Sequence, residues 1–142
     1  MICGAIDLLF ESTDFEAVRA MIGSERGGAA YIDRGSVIYF DGNVHHSVKG
    51  GVSLFLVGNA AQRASGLLAL YTSEGMRVLD ELDESLALIL LDKRRPSISL
   101  IRGKNERIYY AQYKNKLLFS SEKYMIPYAA ELQGRLTFAV NN

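Results

Sequence analysis

The hydrophobic positions of this chain follow a strand-like pattern over most of its length. Residues 86–91 (Leu-Ala-Leu-Ile-Leu-Leu) form a run of six apolar residues that has no polar face. A strand that faced water on one side would carry polar residues at alternate positions, so this run indicates burial on both faces. It therefore predicts a sheet that lies between two other layers.

Further strands are predicted on both sides of this run. Alternating or apolar segments bounded by turn residues indicate strands at residues 2–10, 29–33, 36–41, 53–57, 97–102, 108–113, 116–120 and 136–140. Arg34-Gly35 is typical of a hairpin turn between the second and third of these strands. Residues 42–51 are polar and predict a loop or a weak, short strand.

Fewer segments have helical spacing. Thr13 and Glu16 are spaced as a capping box, which predicts that a helix begins there, with Thr13 as its N-cap. Residues 63–74 repeat their apolar positions at helical spacing, and a shorter helical piece follows them. A last short helix is predicted at residues 121–131, interrupted by Pro127. Few helices and about eight strands indicate an α+β fold built as a layered sandwich.

Composition narrows the class of protein. A length of 142 residues predicts one domain, residues 1–142, with enough chain for a hydrophobic core. Sixteen basic and sixteen acidic residues give no net charge, so neither nucleic acid nor a membrane is predicted as a partner. No apolar run is long enough to span a bilayer, and no signal peptide opens the chain. A single cysteine excludes an internal disulfide and favours a cytoplasmic location.

The stretch 79–123 resembles the second half of the class II glutamine amidotransferase domain, as in the N-terminal part of asparagine synthetase. In that family a buried strand ending in L-x-D leads through R-D-x-x-G-x-K-P-L-Y to L-x-F-A-S-E-x-K. The matching residues here are Val78, Leu79, Leu82, the run 86–91, Asp92, Arg102, Tyr109, Tyr110, Leu118, Phe119, Ser121, Glu122 and Lys123. The resemblance covers roughly a third of the chain. It implies the four-layer αββα sandwich of two antiparallel sheets that N-terminal nucleophile hydrolases share.

The start of the chain also resembles this family. Residues 3–6 (Cys-Gly-Ala-Ile) are similar to the family's opening C-G-I-x-G, in which the cysteine is the first residue of the mature protein. The resemblance implies that the Cys3 thiol attacks the amide of glutamine, with its own α-amine as the base. An α-amine titrates near ~7.7–8.0, which suits that task. Because Met1 and Ile2 precede Cys3, two interpretations stay open: a nucleophile exposed by processing, and a buried structural cysteine.

The oxyanion hole of the family is only partly present. Residues 56–59 (Leu-Val-Gly-Asn) resemble the family's V-N-G-E, whose asparagine side chain and glycine N–H stabilise the oxyanion. Gly58 keeps the N–H donor, whereas Val57 stands at the position of the asparagine. Asn59 lies two residues further on, displaced by roughly 7 Å along a strand. The candidate catalytic residues are therefore Cys3, Gly58 and Asn59.

The groups that hold glutamine in the family are not retained. The arginine that clamps the substrate carboxylate corresponds to Asn43 or Ser47. If residues 69–71 set the register, the aspartate that binds the substrate amine falls near Arg63, a cation that would repel an ammonium group. Residues 25–28 have two interpretations, the pocket wall that the family builds from H-R-G-P-D, or a plain turn. These departures predict a degenerate glutaminase site.

Three hypotheses about function follow. The first is a class II glutamine amidotransferase-like protein without a synthetase domain, whose glutaminase site is degenerate. The second is an active hydrolase of glutamine or another small amide that supplies ammonia to a separate partner. The third is a non-catalytic binding or regulatory module, which docks onto a synthetase-like protein, pairs with a second copy of itself or binds some unrelated ligand. No cofactor is predicted, and no metal site either, because His45 and His46 are neighbours on a strand and would point to opposite faces.

Overall fold

The computed structural model describes residues 1–22, 29–42, 44–58, 64–80, 86–95 and 97–139. The described helices are α1 (Phe15–Ile22), α2 (Ala64–Glu74) and α3 (Arg77–Asp80). The described strands are β1 (Ile2–Asp7), β2 (Ala29–Asp33), β3 (Ser36–Phe40), β4 (Val44–Lys49), β5 (Val52–Val57), β6 (Ala87–Asp92), β7 (Ser97–Ile101), β8 (Tyr109–Tyr113), β9 (Lys116–Ser120), β10 (Ala130–Glu131) and β11 (Arg135–Ala139).

These strands form two antiparallel sheets. The first sheet has the order β10-β8-β9-β1-β3-β2, and the second has the order β11-β7-β6-β5-β4. Each neighbouring pair within the two sheets is antiparallel. The prediction of an α+β fold with two antiparallel sheets is confirmed, and β1 is a central strand of the first sheet.

Strand β6 shows why the sheets are stacked. All six of its residues are buried. Ile89 and Leu91 join the core between the two sheets, where Ile2 and Phe119 of the first sheet also lie. Leu90 turns the other way and packs in a second cluster with residues of α2 and α3. Burial of the apolar run on both faces is therefore confirmed. A fully buried leucine or isoleucine contributes about 1.5–3 kcal/mol, so this strand is a main source of stability.

The helices lie against the outer faces of the two sheets. Val18 of α1 packs with Val37 and Tyr39 on the face of the first sheet that points away from the second. Leu67 and Leu68 of α2 pack on the corresponding outer face of the second sheet. Both sheets are thus covered by helix outside and by each other inside.

Two local predictions about the N-terminal segment were wrong. Strand β1 ends at Asp7 and does not reach residue 10, because the Asp7 carboxylate accepts hydrogen bonds from three N–H groups of the following turn. The N-cap of α1 is Asp14, whose Oδ1 accepts a hydrogen bond from the N–H of Ala17 at 3.0 Å. The predicted cap, Thr13, instead donates its hydroxyl to the carbonyl of Asp33 at 3.1 Å.

Two other segments also differ from the prediction. Residues 44–49 form a full strand, β4, where a loop or a weak strand was expected. Residues 121–129 form a series of turns where a short helix was expected. Pro127 has no N–H to donate, and Tyr128 adopts a left-handed backbone with φ of 59°, so an α-helix cannot continue through them. In the described part of the chain, no helix is long and apolar enough to cross a membrane.

Candidate functional site

Cys3, the proposed nucleophile, lies in the middle of the first sheet. Its Cα is opposite Tyr39 of β3 on one side and Ser120 of β9 on the other. Ile2 and Ile6 of the same strand face the second sheet, whereas Cys3 faces α1. The residue is 0% exposed to solvent. The thiol therefore lies under a helix, on the side of its sheet that points away from the second sheet.

The glycine that follows Cys3 has a packing role. A Cβ atom on Gly4 would lie 2.7 Å from the Phe119 ring and 3.0 Å from the side chain of Ile38. Real contacts are longer than this, so only glycine leaves room for the phenylalanine between the sheets. Part of the Cys-Gly resemblance is thus explained by close packing and does not require catalysis.

The surroundings of Cys3 are rich in sulfur and apolar groups. Three of the four methionines of the chain, Met1, Met21 and Met125, pack against the cluster that contains its only cysteine. The Ser120 hydroxyl donates a hydrogen bond to Met125 Sδ at 3.2 Å, which fixes this thioether beside the sheet. A water-soluble amide can reach the thiol only after part of this cover has moved.

The two residues before Cys3 are built into the sheet. The N–H of Ile2 donates to Ser121 Oγ at 3.0 Å, and the N–H of Ser121 donates to the carbonyl of Ile2 at 2.9 Å. The Met1 carbonyl accepts from the N–H of Asp41 at 2.9 Å, and the Met1 ammonium contacts Asp41 Oδ1 at 2.9 Å. The nitrogen of Cys3 is therefore an amide within a paired strand, and an amide cannot act as a base.

The proposed oxyanion donors belong to the other sheet. Gly58 follows β5 directly and has φ of 122°, a conformation that favours glycine. Val57 is buried in the core between the sheets, so an apolar side chain occupies the position of the family's asparagine. Asn59 and Arg63 lie outside the described residues. Stacked sheets are about 10 Å apart, and the Cys3 thiol is on the far side of its own sheet, so the structure does not bring it together with Gly58.

Of the two residues that could hold the substrate carboxylate, only Ser47 lies in the described part of the chain. Ser47 is a half-buried residue of β4, opposite Leu54 of β5. Asn43 and residues 25–28 lie outside the described part of the chain. Ser47 carries no charge, so at most it could donate one neutral hydrogen bond where the family has a bidentate arginine.

Three cavities formed by described residues lie away from Cys3 and Gly58. Three surface cavities, of 740, 470 and 830 Å³, are formed by described residues, and neither Cys3 nor Gly58 lines any of them. The first lies beside the turn after β1, the second beside residues 121–131, and the third beside the end of α2. None of these three cavities of the described residues therefore leads to the predicted nucleophile.

A polar network that joins the two sheets was not predicted. The Ser53 hydroxyl of β5 donates to the Tyr31 hydroxyl of β2 at 2.9 Å, and Tyr31 in turn donates to Asp33 Oδ2 at 3.0 Å. Lys93 completes the network through an ion pair with Asp33. Burial and the Asp33 carboxylate raise the pKa of Tyr31, while Lys93 lowers the pKa of Asp33. The Tyr31 hydroxyl therefore accepts the hydrogen bond that joins the sheets and donates its own proton to Asp33 on the same strand.

A second polar cluster, also not predicted, connects α2 to the turn after β6. The Tyr71 hydroxyl donates to Asp92 Oδ2 at 2.8 Å, and the Arg94 guanidinium donates to both carboxylate oxygens, at 3.1 and 3.0 Å. Burial and the neighbouring carboxylate raise the pKa of Tyr71 to about 12. Burial acts to raise the pKa of Asp92, but the hydrogen bonds from Arg94 and Tyr71 outweigh it and lower that pKa. The cluster is a structural anchor on the second sheet.

The two histidines have different environments. His46 stacks on Phe55, with ring centroids 4.4 Å apart, and contacts Tyr31 edge-on at 5.1 Å. Its Nε2 is buried without a hydrogen-bond partner among the described residues, and burial lowers its pKa. His45 is exposed. Within the described ranges, no group of three or more His, Cys, Asp or Glu side chains has a metal-binding arrangement.

Comparisons with known proteins leave the family open. No protein-family model matches the sequence, and no curated protein matches it significantly. The assignment of function therefore depends on the residues and the geometry described above.

Proposed function

We propose that this chain is a class II glutamine amidotransferase-like domain of the N-terminal nucleophile hydrolase fold, with a degenerate glutaminase site. The arrangement of the layers supports this proposal, because helices lie outside two stacked antiparallel sheets in the order αββα. The position of the cysteine near the start of a central strand supports it as well. A single cysteine is compatible with a cytoplasmic location, which we also propose.

The observation that carries the proposal is the burial of Cys3 within a paired strand. A working nucleophile of this type needs a free α-amine beside the thiol and a path for the substrate. Here the thiol is 0% exposed, and the preceding residue Ile2 is bonded to Ser121 through both its N–H and its carbonyl. Val57 at the position of an oxyanion donor removes a contact that is typically worth about 10² to 10³ in rate.

The alternative is an active amidohydrolase that has lost Met1 and Ile2. Removal of these residues would free the amine of Cys3, and it would also remove the Met1 side chain from the cluster around the thiol. The Gly58 N–H would then be the proposed oxyanion donor, and this requires a movement that brings β5 and the thiol together. The degenerate form needs no such movement, so the geometry supports it better.

Ammonia release from L-glutamine tests this proposal. We expect no appreciable release from the intact chain, because its thiol is covered and its base is missing. We also expect none from a chain that begins at Cys3, because its sequence has Asn43 or Ser47 and Arg63 where the family has its two substrate clamps. The matched control is the same shortened chain with Cys3→Ala, and circular dichroism confirms that all three proteins are folded. Release near the usual range of about 1–10³ s⁻¹ by the shortened chain, abolished by Cys3→Ala, would support the active enzyme and overturn the degenerate site.

We further propose that the domain acts by association, either with a second copy or with a separate synthetase-like protein. Two neighbouring edges of the sandwich support this, since no described strand pairs with the outer edge of β2 or of β4. Ile32 on β2 and Val48 on β4 are exposed apolar residues, and contacts between Tyr31 and His46 place these two strands side by side. Unpaired strand edges with exposed apolar side chains favour association.

Light scattering measures this association. We expect a homodimer with twice the 15.7 kDa mass of one chain. Ile32→Lys combined with Val48→Lys should yield a monomer, because charges on edge strands oppose strand pairing. The matched control is Leu70→Lys, which changes an exposed apolar residue of α2 and should leave the dimer intact. A monomer of the unmodified chain at high concentration would contradict self-association.

A further inference from the structure

The 470 Å³ cavity beside residues 121–131 combines aromatic and cationic side chains. We call it the tyrosine pocket, and define it by Arg107, Tyr109, Lys123, Tyr124, Tyr128 and Glu131. Its volume lies in the range of small-molecule binding sites, about 300–1,000 Å³. The pocket does not include any residue proposed above for glutamine hydrolysis, so its assignment is independent of that proposal.

The packing of the fold does not account for two of these tyrosines. Tyr124 is 89% exposed and Tyr128 is 99% exposed, so their rings bury almost no surface. Tyr128 also has φ of 59°, a left-handed conformation that costs a residue with a side chain about 1–2 kcal/mol. Strain of this kind is concentrated at ligand sites and other functional positions. By contrast, Tyr109 of β8 is buried, so its ring contributes to the packing of the sheet.

Charge gives the pocket a preference for anions. Glu131 is its only carboxylate, and it is shared by Arg107, at 3.0 Å, and Arg102, at 3.9 Å. Lys123 Nζ lies 5.5 Å from the centre of the Tyr124 ring and contacts no carboxylate of the described residues. The lining of the pocket thus carries two cations, Arg107 and Lys123, and one carboxylate, and Arg107 already pairs with that carboxylate. Lys123 is therefore the cation of this lining that no described carboxylate neutralises. Phosphate oxygens are suitable acceptors for its N–H groups.

We propose that the tyrosine pocket binds a nucleoside phosphate. The planar base would stack on the exposed ring of Tyr124 or Tyr128, and the phosphate would lie against Lys123 and Arg107. A base of any kind can stack on an aromatic side chain, because every base has a π-face. A ligand with both a flat ring and a negative charge uses both features of the pocket, whereas phosphate alone would use only the cations.

Calorimetric titration of the intact chain with AMP tests the proposal. Adenosine and inorganic phosphate, the two halves of this ligand, are titrated separately. We expect AMP to bind at least 10-fold more tightly than either half. The proposal is overturned by the absence of AMP binding at millimolar concentration. It is also overturned if inorganic phosphate binds as tightly as AMP, because the site would then recognise only an anion.

Substitutions locate the binding site. Tyr124→Ala or Tyr128→Ala should weaken AMP binding by about 5-fold to 100-fold, the range that loss of a stacked base gives. Tyr128→Phe keeps the ring and should restore binding, and Lys123→Glu should reduce the affinity for AMP more than that for adenosine. The control is Tyr113→Ala, which removes an exposed tyrosine at the far end of β8. If this control weakens binding as much as the pocket variants do, AMP binds elsewhere and the assignment is wrong.

Discussion

Gly103→Ala is expected to destabilise the protein by about 3 kcal/mol or more. Gly103 is buried in the segment after β7, and a Cβ atom there would lie 2.4 Å from the carbonyl oxygen of Leu86 and 3.0 Å from the nitrogen of Ala87. Both contacts are with backbone, which cannot rotate out of the way as a side chain can. Strand β7 or the start of β6 would therefore have to move. Urea unfolding with a linear extrapolation measures the change.

The same substitution at Gly66 is the control for this experiment. Gly66 is an exposed residue of α2, and a Cβ atom there would have no neighbour within 4 Å. Alanine favours a helix over glycine by about 0.5–1 kcal/mol, so Gly66→Ala should stabilise the protein slightly. Equal effects of the two substitutions would show that the backbone contact at Gly103 is not a close one.

Loss of the Asp92 carboxylate should have the other large effect. Asp92 is 2% exposed and accepts hydrogen bonds from the Tyr71 hydroxyl and from the backbone and guanidinium of Arg94. Asp92→Ala would leave the buried Tyr71 hydroxyl without its acceptor, whereas the exposed Arg94 guanidinium would be hydrated. A buried donor without a partner costs about 1–3 kcal/mol, a large part of the stability of a domain of this size. Urea unfolding at pH 7 measures this loss.

The pH dependence separates charge from packing in this prediction. The pKa of Asp92 is lowered in the folded state, so its stabilising effect is present above the unfolded value of about 3.9. The effect is lost as the pH falls through the folded pKa, and the difference between wild type and Asp92→Ala should shrink there. Asp80→Ala is the control, because Asp80 is an exposed partner of Arg135 and should change stability by less than about 1 kcal/mol. A difference that stays constant down to pH 2 would assign the whole effect to packing.

The sequence pattern was most informative for segments that are stable in only one environment. The apolar run 86–91 has no polar face, and the structure buries it between the other sheet and α2. Hairpin signals such as Arg34-Gly35 also predicted strand pairing correctly, since β2 and β3 pair directly across this turn. A continuous apolar run and a two-residue turn are both patterns of neighbouring residues, so a single sequence contains enough information to recognise them.

Competition between local and distant partners explains the errors. Thr13 and Asp14 are both good caps, and the choice depends on β2, whose Asp33 carbonyl binds the Thr13 hydroxyl. Strand β4 contains two histidines and a serine and has little strand character of its own, but it pairs with the strongly apolar β5. The partner of Thr13 is 20 residues away, and the partner of β4 follows it across the turn at residues 50–51. In both cases the deciding partner lies outside the segment itself, so the propensity of that segment could not predict the result.

The candidate site was less predictable than the fold. The resemblance in sequence placed Cys3 and Gly58 in one hypothetical site. It gave no information on the face of the sheet toward which the Cys3 side chain points. In β1 that direction follows from alternation, which turns Ile2 and Ile6 toward the other sheet and Cys3 away from it. The networks of Tyr31 and of Tyr71 join residues that are about 20 positions or more apart, and no motif marks them.

The order of strands in the first sheet has a consequence for synthesis of the chain. Strand β1 is synthesised long before β9, which is one of its two neighbours, with Cys3 opposite Ser120. Until residues 116–120 have left the ribosome, one edge of β1 has no native partner and its apolar side chains lack part of their cover. The pairing of β1 is therefore completed only after residues 116–120 have been synthesised. Pairing over so great a separation also slows folding, so a nascent chain of this protein is expected to need protection from aggregation by chaperones.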